Sequence, residues 1–96
     1  MARLIYAERA LQDLERLTDF LGESDPAISL ETLSLIEEAV LILGQHPYIG
    51  RPVEAGLREL VVSRGHTGYV ALYSVEEAFD TVLVLAIRHQ REVGYS

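Results

Sequence analysis

Near the end of this chain Val82-Leu83-Val84-Leu85-Ala86-Ile87 runs apolar at every position. A strand with one face in water alternates apolar and polar residues, so an unbroken run asks for a strand covered on both faces. The last strand, read as Thr81 to His89, is therefore expected at the centre of a sheet. The rest of the chain has to supply its neighbours and a covering layer. With 96 residues there is material for one domain, 1–96, and one core.

The covering layer is legible upstream. Ala7, Leu11, Leu14, Leu17, Thr18 and Leu21 recur at helical spacing, with Glu8, Arg9, Gln12, Asp13, Glu15, Arg16 and Asp19 on the other side, which predicts an amphipathic helix ending near Gly22. Asp25-Pro26 then pairs an N-cap acceptor with a proline whose missing N–H costs nothing in a first turn, so a second helix should run from there to about Leu43, closed by Gly44. On that helix Ile28, Leu33, Leu35, Ile36, Ala39, Val40, Ile42 and Leu43 span about half the circumference, enough to meet both the first helix and a sheet. Leu30 and Leu41 share a stripe on its opposite side, and Phe20 is displaced from the first helix's core stripe. Either loops partly cover these three, or they form a dry seat for a partner helix.

Arg3 to Tyr6 is a short β-prone opening, and His46-Pro47-Tyr48-Ile49-Gly50-Arg51-Pro52 is turn chemistry. Strand-like segments follow at Leu57 to Ser63, Tyr69 to Val75 and Thr81 to His89, with spacers short enough for an antiparallel meander. The expected fold is α+β: an N-terminal strand, then a two-helix hairpin packed on one face of a mainly antiparallel sheet of three to four strands.

Charge narrows the function classes. Fifteen acids face eight bases for a formal −7, and every base is arginine. The acid is concentrated before Tyr48, and such a chain is ill-suited to generic nucleic-acid binding. Without cysteine there is no disulfide, thiolate nucleophile or Cys-ligated metal, and an intracellular, cytoplasmic protein is expected. No apolar run approaches the roughly 20 residues of a membrane span, so no membrane association is expected. Phosphate-binding glycine loops, a Gly-x-Ser-x-Gly elbow and HExxH-type histidine spacing are all missing, so neither cofactor nor metal is expected. The adjacent pairs Glu37-Glu38 and Glu76-Glu77 read as solvated surface, and His46 as loop surface.

Chemistry-bearing side chains gather instead around the ends of the last strands: Arg58, Arg64, His66, Tyr69, Tyr73, Arg88, His89, Arg91 and Tyr95. In a meander, the end of the His89 strand lies near the start of the Tyr69 strand and the loop before it. Arg64, His66, Arg88, His89 and Arg91 can then converge, with arginines to hold phosphate and histidine as a titratable acid or base. Equally, Arg88 or Arg58 could pair with Glu59 or Glu92, and the tyrosines could be amphipathic packing.

At this point the chain resembles the RelE/ParE superfamily, the toxin halves of bacterial type II toxin-antitoxin operons. The resemblance rests on the opening strand leading into Ala7-Glu8-Arg9-Ala10-Leu11-Gln12-Asp13-Leu14, on Leu43 to Gly50 ending in His-Pro-Tyr-Ile-Gly, and on Leu57-Arg58-Glu59-Leu60. Gly68-Tyr69-Val70-Ala71-Leu72-Tyr73 and Val84-Leu85-Ala86-Ile87-Arg88-His89-Gln90-Arg91-Glu92 complete it. Two activities are implied. RelE-like members cleave mRNA in the ribosomal A site, using basic side chains and a C-terminal tyrosine; here Arg64, His66, Arg88, His89 and Tyr95 would carry that chemistry. ParE-like members poison DNA gyrase without nuclease activity, and Arg64, Arg88, His89, Arg91 and Tyr95 would then be target contacts.

Where RNA-cleaving members typically follow the tyrosine of the Gly-Tyr pair with an arginine, this chain has Val70, and their helpful lysines have no counterpart. A metal-free RNase must hold positioned cations on the developing phosphate charge, so the resemblance is closer to the ParE-like branch. Growth arrest through gyrase inhibition, and a plasmid-stabilisation role, are what that branch implies. The resemblance also implies a cognate antitoxin with a flexible tail, for which Phe20, Leu30, Leu41 and a sheet edge would serve, and a heterotetramer with the antitoxin is one assembly that fits. A further alternative is a non-toxic member retained as an antitoxin-binding corepressor.

Overall fold

The structure is a computed structural model that describes residues 1–64 and 67–91, the side chains at 63, 64 and 67 excepted. The elements run β1 (Arg3–Tyr6), α1 (Glu8–Ser24), α2 (Pro26–Ile42), β2 (Arg51–Pro52), β3 (Arg58–Arg64), β4 (Thr67–Glu76) and β5 (Thr81–His89). The strands form one sheet in the order β1-β5-β4-β3-β2, parallel between β1 and β5 and antiparallel elsewhere. This is the expected α+β fold, with the sheet one strand wider. Arg51 and Pro52, read as turn, pair with Glu59 and Arg58 as a two-residue edge strand. Proline is tolerated there because an edge strand's outer N–H has no ladder partner to lose.

β5 occupies the interior position that its apolar run demands, between β1 and β4. Its register holds a bulge: Leu72 faces Ala86 while Tyr73 faces Val84, which leaves Leu85 without a partner. One extra residue reverses the parity of the strand. Val82 and Val84 before the bulge and Ile87 after it all enter the core under the helices, together with Tyr69, Ala71 and Tyr73 of β4. Val70, Leu72, Ala86 and Arg88 belong to the opposite face.

Asp25 caps α2 by accepting from the Ala27 amide at 3.0 Å, with Pro26 in the first turn. α1 continues past Gly22 to Ser24. Beside Gly22 the helices are joined by Ser29, whose hydroxyl donates to the Thr18 carbonyl at 2.8 Å. α2 buries Thr32, Ile36 and Val40, whereas Ile28 and Ile42, expected on the core arc, are exposed. The arc facing α1 and the sheet is thus narrower than the apolar one. Gly44 lies against β1, where its carbonyl accepts from Ala2 N at 2.7 Å.

α1 sits on β5 and is tied to it by Asp13. β1 pairs with β5 only as far as Val84, and the chain then turns into α1 as Ala7 N donates to Val84 O. Farther along, the Ile87 amide has no strand on that side, and buried Asp13 accepts it through Oδ2 at 2.9 Å. Arg9 and Arg16 stand 3.7 Å from the same carboxylate. Asp13 was expected on the polar side of α1; an orphaned amide of the sheet brings it inside.

Candidate functional site

The sheet's register decides which candidate residues can meet. Arg64 pairs with Thr67 at the β3–β4 turn, Val62 with Tyr69, and Tyr69 with His89. The backbone of Arg64 and the residues Arg88, His89 and Arg91 therefore gather at one end of the sheet, as expected. His66, Glu92 and Tyr95 lie outside the described residues, as does the side chain of Arg64.

Alternation separates the two central members of this group. Arg88 pairs with Val70, itself beside Val61, on the face turned away from the helices. Its Nη1 donates to the carbonyls of His89 and Gln90 at 3.2 and 3.3 Å, folding the guanidinium back over its own strand end. His89 turns to the helix side, edge-on to the Tyr69 ring with centroids 5.3 Å apart. Its Nδ1 accepts from Arg91 N at 3.0 Å, so the neutral ring carries its proton on Nε2. A ring arranged this way can donate through Nε2.

The other candidates belong elsewhere. Arg58 begins β3, about 20 Å of extended chain from Arg64. It donates to the carbonyls of Tyr48 and Gly50 at 3.1 and 2.8 Å and lies 5.0 Å from the centre of the Tyr48 ring. Tyr48 also donates to the Glu77 carboxylate, which raises its pKa above 10.0. Tyr69 and Tyr73 are core residues. The Tyr73 hydroxyl, fully enclosed, donates to Pro47 O at 2.7 Å and accepts from Gly50 N at 2.9 Å; burial pushes its pKa up, while the Gly50 bond and Arg58 pull the other way. Glu59, named as a partner for Arg58 or Arg88, holds Arg51 at 2.7 Å across β2 and β3. These contacts fix the His46–Arg51 segment, and Gly50 is required there because a Cβ would fall 2.5 Å from Tyr73 Oη.

The helical hairpin presents the other candidate surface. Leu30 is 68% exposed and Leu41 58%. A concavity of about 760 Å³ opens between Thr18 and Gly22 of α1 and Ser29, Leu30 and Leu33 of α2. A second, of about 400 Å³, continues along α2 past Leu30 to Leu35 and Glu38. Leu11, 53% exposed, shares the α1 stripe of Thr18 and Gly22 at seven- and eleven-residue spacing and extends the apolar strip. The sequence places it on the core stripe of α1, and the structure leaves it exposed.

Phe20, 71% exposed, does not join this strip. It follows Asp13 by seven residues and so faces the flank of α1 that Asp13 turns towards β5, away from the Thr18–Gly22 side. Among the described residues, no group of three His, Asp or Glu side chains is arranged to hold a metal ion, and no helix is long and apolar enough to cross a membrane.

This fold recurs in small toxins of toxin-antitoxin pairs. The chain is 37% identical over 84 residues to Toxin RelE3 of Caulobacter vibrioides, covering 88% of this chain and 89% of that protein. It is 34% identical over 89 residues to Toxin RelE2 of the same organism, covering 93% and 96%. A solved structure from P. aeruginosa, described as a chromosomal ParDE toxin-antitoxin system, superposes with a TM-score of 0.78 at 27% identity, covering 93% of this chain and 96% of that one. Residues 4–94 match the profile of the family described as "ParE toxin of type II toxin-antitoxin system, parDE". The chain belongs to this family of toxins.

Proposed function

We propose that this toxin acts by stoichiometric binding to DNA gyrase, and that a cognate antitoxin silences it by covering the exposed hairpin. The observation that carries the first part is the surrounding of position 70. Val70 is 2% exposed and lies between Val61 and Arg88, whose guanidinium bonds its own strand's carbonyls. Metal-free RNA cleavage needs cations aimed at the phosphate where charge develops, and losing one such donor costs on the order of a hundredfold in rate. A formal −7 opposes docking on ribosomal RNA but is no obstacle to a protein surface. Arg64, Arg88, His89, Arg91 and Tyr95 are the proposed target contacts.

The experiment is a gyrase supercoiling assay with purified toxin, with and without antitoxin, read for inhibition and for trapped cleaved DNA. Inhibition relieved by antitoxin supports the reading; no effect at stoichiometric excess refutes it. The names of the two Caulobacter relatives favour a second reading, a ribosome-dependent mRNA endonuclease using Arg64, His66, Arg88, His89 and Tyr95. Cuts confined to translated messages on expression would support it. A chain harmless on expression that still binds antitoxin would be the corepressor.

The antitoxin part is tested separately. Leu30→Glu or Leu41→Glu should leave the fold intact, because both side chains are exposed, and should weaken antitoxin binding at least tenfold, on the order of a lost apolar anchor. Unchanged affinity by calorimetry removes the hairpin from the interface.

A further inference from the structure

The apolar strip on the hairpin has a rim of one sign. Around Leu30 the two concavities are lined by Asp19 and Glu23 of α1 and by Glu31 and Glu38 of α2, with no arginine or histidine among the lining residues. α2 contains no basic residue, and neither helix has a basic residue in its last turn, where a cation would offset the helix dipole. Three kinds of occupant are therefore disfavoured. A nucleic acid, an anionic lipid surface and a second copy of the same hairpin would each bring negative charge against this rim, and like charges juxtaposed across an interface suppress the wrong partner.

The shape selects among the remaining occupants. Leu30 and Leu41 are eleven residues apart on one stripe, about 16 Å along the axis, or three turns of helix. Leu11 extends the strip on the α1 side. One concavity lies between the helices beside Leu30 and the other follows α2 alone, and a helical partner lies along such an apolar stripe through anchors spaced i, i+4, i+7.

We infer that the antitoxin segment seated on the hairpin is a cationic amphipathic helix, its aliphatic anchors over Leu30 and Leu41 and its flanking Lys or Arg side chains against Asp19, Glu23 and Glu38. This rests on the reading that a helical antitoxin segment covers the hairpin, and it adds the sign of the charge which that segment carries. It also gives discrimination: an antitoxin whose corresponding helix is acid-flanked is rejected by the rim even when its anchors fit.

The test uses the full chain and two synthetic amphipathic peptides of roughly 18 residues, long enough to form helix. They share one leucine-bearing face and differ only in flanks, Lys in one and Glu in the other. Fluorescence anisotropy should show the Lys peptide binding at least tenfold more tightly, with an affinity that falls about tenfold between roughly 0.05 and 0.5 M NaCl. The triple variant D19N/E23Q/E38Q, checked by circular dichroism, should bind the two peptides alike. Equal affinity of both peptides for the unaltered chain, with no salt dependence, overturns the charge inference. If Leu30→Glu still loses binding of both peptides in that case, the hairpin remains the docking surface. Binding of neither peptide, or Lys-peptide binding unaffected by Leu30→Glu, overturns the inference together with the docking surface.

Discussion

The carboxylate of Asp13 lies where a strand has run out. β1 stops at Tyr6, and Asp13 supplies the acceptor that a longer strand would have given to Ile87. Asp13→Ala leaves that buried amide unsatisfied and should cost about 2 kcal/mol by urea denaturation, while Asp13→Asn, which keeps an acceptor, should cost less than half as much. In sequence Asp13 is indistinguishable from its polar neighbours on α1, because the partner that explains it is 74 residues away. Tyr73 was legible only as an aromatic; its hydroxyl takes meaning from the loop that it pins. Because burial raises the Tyr73 pKa above 10.0, the folded state holds the phenol proton more tightly than the unfolded chain does. Stability from this group is complete below pH 10 and declines as pH rises through the raised value. Burial and Glu37 raise Tyr6 in the same direction. Thermal scans from pH 9 to 11 should show the melting temperature falling, with a shallower slope in Tyr73→Phe, and an identical slope would reject the assignment.

At the scale of elements, legibility followed local chemistry. The Asp25-Pro26 start of α2 needs only neighbouring residues, and the expected cap bond is present. Asp25→Ala should cost about 1 kcal/mol in the same denaturation experiment, whereas Asp25→Ser, which still caps, should be nearly neutral. Gly22 does not end α1, which runs on to Ser24, because a glycine near a helix end costs propensity without forcing a stop unless its backbone turns left-handed. The bulge in β5 left no mark either. In a run that is apolar at every position, a reversal of parity changes no residue type, so the sequence could place the strand in the interior without showing that Ile87 and not Ala86 enters the core. The edge strand Arg51–Pro52 was hidden for a different reason: its two pairings are secured by the Arg51–Glu59 bridge and not by strand propensity.

For the molecule as a whole, the charge asymmetry of the sequence becomes a division between layers. The acidic hairpin forms one side, while Arg88 belongs to the face of the sheet turned away from it, at the strand end it shares with Arg91. The proposed antitoxin seat and Arg88 therefore lie on opposite sides of a two-layer protein, and substitutions at the hairpin and at the strand end should separate the two activities. Arg91→Ser, at an exposed turn position, should raise the toxin concentration needed for gyrase inhibition about three- to tenfold while antitoxin affinity stays within about twofold. Leu30→Glu should do the reverse. A short helical peptide that fills only the hairpin should then bind without relieving inhibition, because relief requires a partner long enough to reach around the sheet to the strand end. If Arg91→Ser weakens both interactions equally, or if the peptide alone restores supercoiling, target and antitoxin compete for one surface and the division between layers has no functional meaning.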